Sequence, residues 1–377
     1  MTSKTAIAQA ANGYATDFRK SLIGWYRENA RDLPWRRTQD PYAIWISEVM
    51  LQQTRVAAVI EYYQRFLAAF PTIEALAAAP EPSVLALWSG LGYYRRARML
   101  HRAAQVLVAD YGAQMPATAA GLRELPGIGE YTSAAIASIS FGEAVPVLDG
   151  NVERVLLRLR GESAVADHPN AATRKTLREA AQQLLDPKHP DEFNQAMMEL
   201  GAVICLPRGP RCGDCPVRSF CRTQGEHPTA PALRMKSQKV AYGLLERTTG
   251  GQAAILLVQR PAHASQMPGM WELPALDPII APTLLSQEAE LIRLRHSITN
   301  TNYEVAVYAL GRGGQKLVSA SKSSLHWVAL SDLWSLPLTG LARKVLRRLK
   351  VAPVEADSVP AVGKRARAAG KQQKSSG

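Results

Sequence analysis

The amino-acid sequence predicts a two-domain protein, in which an all-α region is followed by a smaller α+β region and a basic tail. The chain has 377 residues, more than a single hydrophobic core usually organises. Apolar residues recur at helical period through most of residues 14–207. Beyond residue 238 the apolar period shortens to two, as in β-strands. A multi-domain architecture follows from these features.

Changes of composition set the expected boundaries. We expect a helical domain over residues 1–222, a linker over 223–238, an α+β domain over 239–350 and a disordered basic tail over 351–377.

Local patterns predict the individual elements. One apolar stripe at helical spacing consists of Val56, Ile60, Tyr63, Leu67 and Phe70. Further helices are expected over 134–139, 154–159 and 341–349, and strands over 240–245, 254–258 and 303–310.

The charge balance indicates a polyanionic partner. The net charge is +13 and the isoelectric point is near 9.7, which suits nucleic acid or an anionic membrane surface. No apolar run is long enough to favour a membrane, and residues 1–20 lack the apolar stretch of a secretory signal. We therefore expect a cytoplasmic, nucleoid-associated protein without membrane contact.

All the cysteines of the chain lie in one short stretch with the spacing C-x6-C-x2-C-x5-C: they are Cys205, Cys212, Cys215 and Cys221. Such clustering predicts a metal site and not disulfides. Structural zinc usually takes two close pairs separated by a longer loop, so this asymmetric spacing favours a 4Fe-4S cluster over zinc. Four unmetallated thiols fit poorly, because glycine and proline make the segment a tight polar loop.

A glycine-rich turn precedes one of the predicted helices. Residues 125–132 have the sequence LPGIGEYT, in which Gly127 and Gly129 flank an isoleucine. Such a turn between helices places the backbone N–H groups of the next helix where they can bind a phosphate. A purely structural turn is the alternative, and the basic charge of the chain favours the phosphate site.

Two carboxylates stand in contexts that suit acid–base chemistry. Glu48 lies among apolar residues, where desolvation would favour its neutral form, as a general acid requires; a surface glutamate in an ion pair is the alternative. Asp149 stands where a helix N-cap belongs, and capping alone would explain it. A carboxylate kept ionised there could also face a developing positive charge.

The hairpin, the aspartate beyond it and the cysteine loop together resemble the endonuclease III superfamily of helix-hairpin-helix DNA glycosylases. Within it, the segments at 34–36 (PWR), 47–54 (SEVMLQQT) and 90–94 (GLGYY) resemble the MutY-type adenine glycosylases. The resemblance covers roughly residues 14–221. It implies a helix-hairpin-helix glycosylase domain that acts on duplex DNA.

This resemblance implies roles for particular residues. Glu48 would protonate the adenine, and Asp149 would stabilise the cationic sugar with support from Tyr131 and Asn151. The flipped base would be lined by Trp35, Arg36 and Gln195, and the vacated stack would be filled by Gln53 and Tyr93.

One position separates the chemistries within the superfamily. Bifunctional members carry a nucleophilic lysine in the hairpin motif, whereas this chain has Tyr131. The resemblance therefore implies a monofunctional enzyme that leaves an abasic site. The alternatives are a bifunctional pyrimidine-lesion glycosylase/lyase and an iron-sulfur protein that binds mismatches without turnover.

The second domain resembles the Nudix-like carboxy-terminal domain of the same enzymes through the segment PGMWELP at 268–274. It lacks the acidic cluster that a Nudix hydrolase needs for magnesium. The family reads 8-oxoguanine there with a Phe-Ser-His triplet, where this chain has Ile298, Thr299 and Asn300. The implied partner is duplex DNA with adenine opposite 8-oxoguanine or guanine, bound by a monomer, with Thr299 keeping a hydroxyl for recognition.

Overall fold

The computed structural model describes residues 2–162, 170–227, 235–276, 290–298, 300–311 and 324–351. The chain forms two compact units, of which one contains Met1–Val56 and Arg102–Ala232 and the other contains Ala57–His101 and Leu233–Gly377. Helices expected in the amino-terminal domain therefore belong to the same unit as the carboxy-terminal sheets. The domains predicted from composition are continuous segments of the chain, whereas each of these two units combines two separate segments.

The helices follow the chain in order: α1 (Thr2–Asn29), α2 (Pro41–Leu51), α3 (Val56–Ala69), α4 (Ile73–Ala78), α5 (Glu81–Trp88), α6 (Arg95–Tyr111), α7 (Ala119–Leu122), α8 (Glu130–Phe141), α9 (Gly150–Arg160), α10 (Ala171–Leu184), α11 (Pro190–Val203) and α12 (Gly340–Leu349).

Helix ends in the first unit have clear local causes. The Asp40 carboxylate accepts hydrogen bonds from the first-turn amides of α2, and Pro41 occupies a position where no amide donor is needed. Helices α8 and α9 end at Gly142 and Gly161, whose φ angles of 70° and 71° lie in the left-handed region that favours glycine. These signals place α2, which carries Glu48, α8, which carries Tyr131, and α9, which is capped by Asp149.

The apolar stripe predicted for α3 is partly wrong. The helix forms, but its fully buried face consists of Val59, Tyr63 and Phe66, followed by Phe70. Val56, Ile60 and Leu67 are only half-buried. The buried face is thus rotated toward Val59 and Phe66.

The strands are β1 (Lys236–Leu244), β2 (Glu246–Thr249), β3 (Gln252–Gln259), β4 (Trp271–Glu272), β5 (Glu290–Ile298), β6 (Thr301–Ala309) and β7 (Leu325–Ala329). One sheet has the order β1-β6-β5, with β6 parallel to β1 and antiparallel to β5. In the other, β3 pairs antiparallel with β2, β4 and β7. Strand β1 begins inside the segment predicted as linker.

Apolar residues of both sheets meet α12 in one core. Ile255, Leu257, Val305 and Val307 pack with Val345 of the helix. The period-two pattern of the strands thus supplies the buried face that the sequence predicts. The predicted tail beyond Val351 lies outside the described residues. Within the described ranges, no helix is long and apolar enough to cross a membrane.

Candidate active site

Glu48 lies on the buried helix α2, with 5% of its surface exposed. Its Oε2 accepts a hydrogen bond of 2.5 Å from the Tyr131 hydroxyl. Burial is the main cause that raises the pKa of Glu48 to about 7. The Tyr131 hydrogen bond and the charge of Arg36 lower this pKa, whereas the charge of Asp149 raises it. The carboxyl can therefore both give and take a proton near neutral pH.

Tyr131 comes to Glu48 from the first turn of α8, directly after the glycine turn. Burial raises the pKa of this phenol well above its usual range, and the negative charges of Glu48 and Asp149 raise it further. The phenol is therefore a neutral donor. The Gln52 amide donates to the Thr132 hydroxyl at 3.2 Å, which joins the end of α2 to the same turn of α8.

Asp149 caps α9, as the sequence predicts. Its Oδ1 accepts from the Val152 amide at 2.7 Å, and its Oδ2 accepts from the Asn151 side chain at 3.0 Å. Arg154 holds the other end of the Asn151 amide, donating to its Oδ1 at 3.0 Å, and it also donates to the Cys205 carbonyl at 2.9 Å. The orientation of Asp149 is thus connected by side chains to the start of the cysteine loop.

A second carboxylate, Glu199 of α11, organises the residues beside Glu48. Arg36 and Arg31 both donate to Glu199 at 2.7 Å. Burial alone would raise the pKa of Glu199, but the hydrogen bonds and charges of the two arginines outweigh it and lower the pKa to about 2. Glu199 therefore stays ionised and keeps Arg36 in place.

Tyr26 completes this group. Its hydroxyl donates to the Gln195 Oε1 at 3.1 Å, and its ring lies 5.4 Å from the Arg36 guanidinium. Gln195 and Glu199 are one helical turn apart on α11, so they share a face. The structure thus connects Arg36 and Gln195, two of the predicted pocket residues. Trp35, which precedes Arg36, is buried with 6% of its surface exposed.

Sequence reasoning missed several residues of this arrangement: they are Tyr26, Arg31, Arg154, Glu199 and Gly201. Spacing could have found some of them, because Arg154 follows Asn151 by three residues and Glu199 follows Gln195 by four. Gly201 has a steric reason, since a Cβ there would lie 2.7 Å from the Asn151 Cβ. It lets α11 approach α9 closely at the residue that holds Asp149.

The predicted glycine turn is present between α7 and α8. Gly127 has a φ of 78°, which a side chain would disfavour, and the Ile128 amide donates to the Leu125 carbonyl at 3.2 Å. Gly129 is the N-cap residue of α8, and a Cβ there would meet open space. A ligand can therefore approach the first-turn amides of α8, which the helix itself does not pair.

The four cysteines line one shared cavity. Arg158 reaches this cavity and donates to the Cys205 Sγ at 3.3 Å, and the Gln224 amide donates to the Cys221 Sγ at 3.4 Å. Across the described residues, no three His, Cys, Asp or Glu side chains converge closely enough to hold a single metal ion. Four cysteine thiols are the ligand set that either a zinc ion or an iron-sulfur cluster takes.

The chain is similar to known base-excision repair proteins. The family model described as HhH-GPD superfamily base excision DNA repair protein matches residues 46–186. The adenine DNA glycosylase of Homo sapiens is 35% identical over 405 aligned residues, which cover 88% of this chain and 74% of the human protein. The chain belongs to the adenine DNA glycosylase family. The Rattus norvegicus member is likewise 35% identical, covering 88% of this chain and 78% of the rat protein.

A solved structure of a thermostable thymine-DNA glycosylase supports the same fold for part of the chain. It is 30% identical, with a TM-score of 0.52, and covers 57% of this chain and 98% of its own. The chain thus has the helical glycosylase fold of the HhH-GPD superfamily, together with a carboxy-terminal region that contains β-sheets.

Two further predicted residues of this adenine DNA glycosylase family member, Gln53 and Tyr93, have left-handed backbone. Gln53 follows α2 and is exposed, with a φ of 56°. Tyr93 belongs to the other unit, is 51% exposed and has a φ of 47°. Left-handed backbone is uncommon outside glycine and often marks functional positions. Thr299 lies outside the described residues.

The basic residues that follow Tyr93 on α6 differ in their exposure to solvent. Arg95 and Arg102 are exposed. Arg96, however, donates to the Leu91 and Gly92 carbonyls, and Arg98 pairs with the carboxylate of Glu81. The exposed arginines of the cysteine loop are Arg208, Arg211 and Arg218.

Proposed function

We propose that this enzyme removes adenine that is mispaired with 8-oxoguanine or guanine in duplex DNA, by hydrolysis and without cleaving the strand. As a member of the adenine DNA glycosylase family, the chain is a base-excision repair glycosylase that removes adenine. The observation that carries the proposed hydrolytic chemistry is the hydrogen bond of Tyr131 to a buried Glu48 whose pKa is about 7.

Glu48 acts first as a general acid. Its proton goes to N7 of the flipped adenine, the bond between N9 and the sugar C1′ breaks, and the bonding electron pair leaves with the base. The resulting Glu48 carboxylate then accepts a proton from the water that attacks C1′. A pKa of about 7 suits both steps, because neither protonation state is strongly disfavoured at neutral pH.

Asp149 stabilises the positive charge that develops on the sugar. Its two oxygens already accept bonds from the Val152 amide and the Asn151 side chain, so no reorganisation is needed when the charge forms. The negative charge of Asp149 also helps to keep Glu48 protonated before the reaction. The two carboxyl groups thus divide the work as they do in glycosidases.

Tyr131 supports the monofunctional reaction. A lysine amine at this position could attack the sugar and form a Schiff base, which leads to strand cleavage. The Tyr131 phenol instead has a raised pKa and donates to Glu48. It therefore orients the acid and is not a nucleophile.

Trp35, Arg36 and Gln195 bind the flipped adenine. The Gln195 Oε1 accepts from Tyr26 but has a second lone pair for the adenine amino group, and its amide N–H groups can donate to a ring nitrogen. Arg36 is fixed by Glu199 beside this amide and supplies a planar donor group. This arrangement favours adenine over bases that lack its donor and acceptor pattern.

DNA binding uses the hairpin and the exposed side chains. The turn with Gly127 and Gly129 binds a backbone phosphate at the amides of α8, and Gln53 and Tyr93 fill the space that the flipped adenine leaves. The exposed arginines of the cysteine loop add contacts to phosphates.

The carboxy-terminal region is a Nudix-like domain that reads the opposite base. Strand β5 ends at Ile298, and β6 begins at Thr301, directly after Asn300, whose carbonyl accepts from the Lys236 amide at 2.9 Å. We assign 8-oxoguanine recognition to the hydroxyl of Thr299.

Cys205, Cys212, Cys215 and Cys221 would hold a 4Fe-4S cluster, which would stabilise the loop that presents arginines to DNA. The shared cavity and the N–H groups of Arg158 and Gln224 directed at sulfur atoms fit this group. Hydrolysis of the glycosidic bond moves no electrons, so we assign the cluster a structural role in base excision.

The test compares single-turnover cleavage of duplexes with adenine opposite 8-oxoguanine, guanine or thymine, with and without alkali, and includes borohydride. We expect strand breaks only after alkali, the order 8-oxoguanine, guanine, then thymine, and no trapped adduct. A borohydride-trapped adduct would indicate a bifunctional lyase. Binding without any excision would indicate a mismatch-binding protein.

A further inference from the structure

The turn that carries Tyr93 is strained. It connects α5 to α6, and the φ angles of Gly90, Gly92 and Tyr93 are 111°, 71° and 47°. Left-handed backbone is unfavourable for a residue with a side chain. Such a conformation persists only where the surrounding structure holds it. The contacts of residues 89–94, here called the Tyr93 turn, therefore decide how the exposed ring is presented.

Helical residues hold one side of the Tyr93 turn. The Tyr62 hydroxyl donates to the carbonyl that opens the turn at 2.9 Å, and the Trp88 indole donates to the Gly92 carbonyl at 3.2 Å. The Arg96 guanidinium donates to the same Gly92 carbonyl at 3.4 Å and lies 5.6 Å from the centre of the Tyr93 ring.

The carboxy-terminal region holds the other side. The Leu338 carbonyl accepts from the Ser89 hydroxyl at 2.6 Å and from the Tyr94 hydroxyl at 3.2 Å. Arg343 of α12 donates to the Ser89 Oγ at 2.9 Å and to the Ala86 carbonyl at 3.4 Å. Ser89, Tyr94 and Arg343 are all buried. A buried group that loses its hydrogen-bond partner pays a desolvation cost, so these bonds resist breaking.

Arg343 is placed where a buried cation is tolerated. Only 7% of its surface is exposed, and it lies at the carboxy-terminal end of α5, where the helix dipole is negative. Its guanidinium also lies 5.5 Å from the Trp334 ring. The burial of this arginine is therefore linked to the end of the helix from which the Tyr93 turn departs.

The motif PGMWELP fixes Leu338. The Trp271 amide donates to the Pro337 carbonyl at 2.9 Å, and the Thr339 amide donates to the Trp271 carbonyl at 2.8 Å. These two bonds leave the intervening Leu338 carbonyl pointing at the Tyr93 turn. Arg98 adds a parallel connection by donating to the Pro268 carbonyl at 2.5 Å.

We propose that Arg343 and the Leu338 carbonyl are positioning groups for Tyr93, which hold its turn in the strained conformation that inserts the ring into DNA. The carboxy-terminal region thereby contributes to base flipping as well as to reading the opposite base. This inference rests on the proposed function, in which Tyr93 fills the space left by the adenine.

The test is a double-mutant cycle in the full chain, between Arg343→Met and Tyr93→Ser. A duplex with 2-aminopurine next to the target adenine reports unstacking as a rise in fluorescence on binding. With Tyr93 present, we expect Arg343→Met to reduce this rise and the single-turnover excision rate on the order of 10-fold. In the Tyr93→Ser background, we expect its effect to be less than about two-fold.

Matched variants separate positioning from folding. Arg347→Met removes the same charge from the same helix, and Arg347 also lies over the Trp334 ring, at 6.0 Å. This variant should behave as wild type, because the proposal assigns the effect to the bonds of Arg343 with Ser89 and Ala86 and not to its charge. Arg343→Lys should restore part of the effect, because an ammonium group can still donate to Ser89. If Arg343→Met fails to fold, Ser89→Ala takes its place in the cycle.

Equal effects of Arg343→Met in both backgrounds would overturn the proposal, as would a wild-type protein that binds the duplex without any rise in fluorescence. Failure of the proposed function is recognised separately. In that case the wild-type protein releases no adenine, while the fluorescence cycle, which needs only binding, still reports whether Arg343 and Tyr93 are coupled.

Discussion

The pH dependence of excision follows from the environment of Glu48. A general acid must be protonated to act, and the pKa of Glu48 is about 7. The protonated fraction is then about one half at pH 7, about a tenth at pH 8 and about a hundredth at pH 9. We expect the single-turnover rate to fall about ten-fold per pH unit above pH 8, because each unit removes nine-tenths of the remaining acid.

Tyr131→Phe tests the cause of this profile. The Tyr131 hydrogen bond stabilises the Glu48 carboxylate and so lowers its pKa; its removal should raise the midpoint of the profile. A hydrogen bond to a charged group is worth about 1.5–3 kcal/mol, which corresponds to a rise of about one to two pH units.

The assay measures adenine release under single-turnover conditions from about pH 5.5 to about pH 9, on both sides of the expected midpoint. Tyr111→Phe removes the hydroxyl of an exposed tyrosine and serves as the control. A flat profile above neutral pH, or a midpoint that moves downward in Tyr131→Phe, would refute the assignment of Glu48 as the acid held by Tyr131.

Three further predictions concern stability and packing. The rise of the Glu48 pKa from 4.5 to about 7 costs about 3 kcal/mol of folding free energy once the group ionises, a cost that appears as pH rises through this window. Glu48→Gln should therefore be more stable than wild type in urea unfolding at pH 8, and this advantage should vanish at pH 4.5. The Glu199 pKa of about 2 stabilises the fold above pH 4.5 and less as pH falls toward 2, so Glu199→Gln should lose about 3 kcal/mol at pH 7; an unchanged urea midpoint would contradict this. Gly201→Ala should lower stability by about 1–3 kcal/mol and slow excision, because its Cβ would displace Asn151. Thermal melting and single-turnover rates test the prediction for Gly201→Ala. The control is Gly24→Ala, whose Cβ meets open space.

Features with short-range causes could be predicted from the sequence. The cap at Asp149, the glycine turn before α8 and the cysteine loop each depend on residues within a few positions of one another. Their residue types are restricted by backbone geometry or ligand chemistry, so a single sequence carries the signal.

Features that depend on distant partners could not be predicted. Arg36 meets Glu199 across 163 residues, and Arg343 meets Ser89 across 254. No periodicity connects such pairs, because the fold alone brings them together. The same reason explains why composition placed residues 57–101 with the amino-terminal helices, whereas their contacts place them with the carboxy-terminal sheets.

The most direct test of the central claim is release of free adenine from a duplex with one adenine opposite 8-oxoguanine, by wild type and by Glu48→Gln. Folding and cluster content of both proteins are checked by circular dichroism and by iron analysis. We expect wild type to release one adenine per duplex with strand breaks only after alkali, and Glu48→Gln to bind the duplex but release none. Release by Glu48→Gln at the wild-type rate would contradict the account, as would the absence of release by a folded wild-type protein.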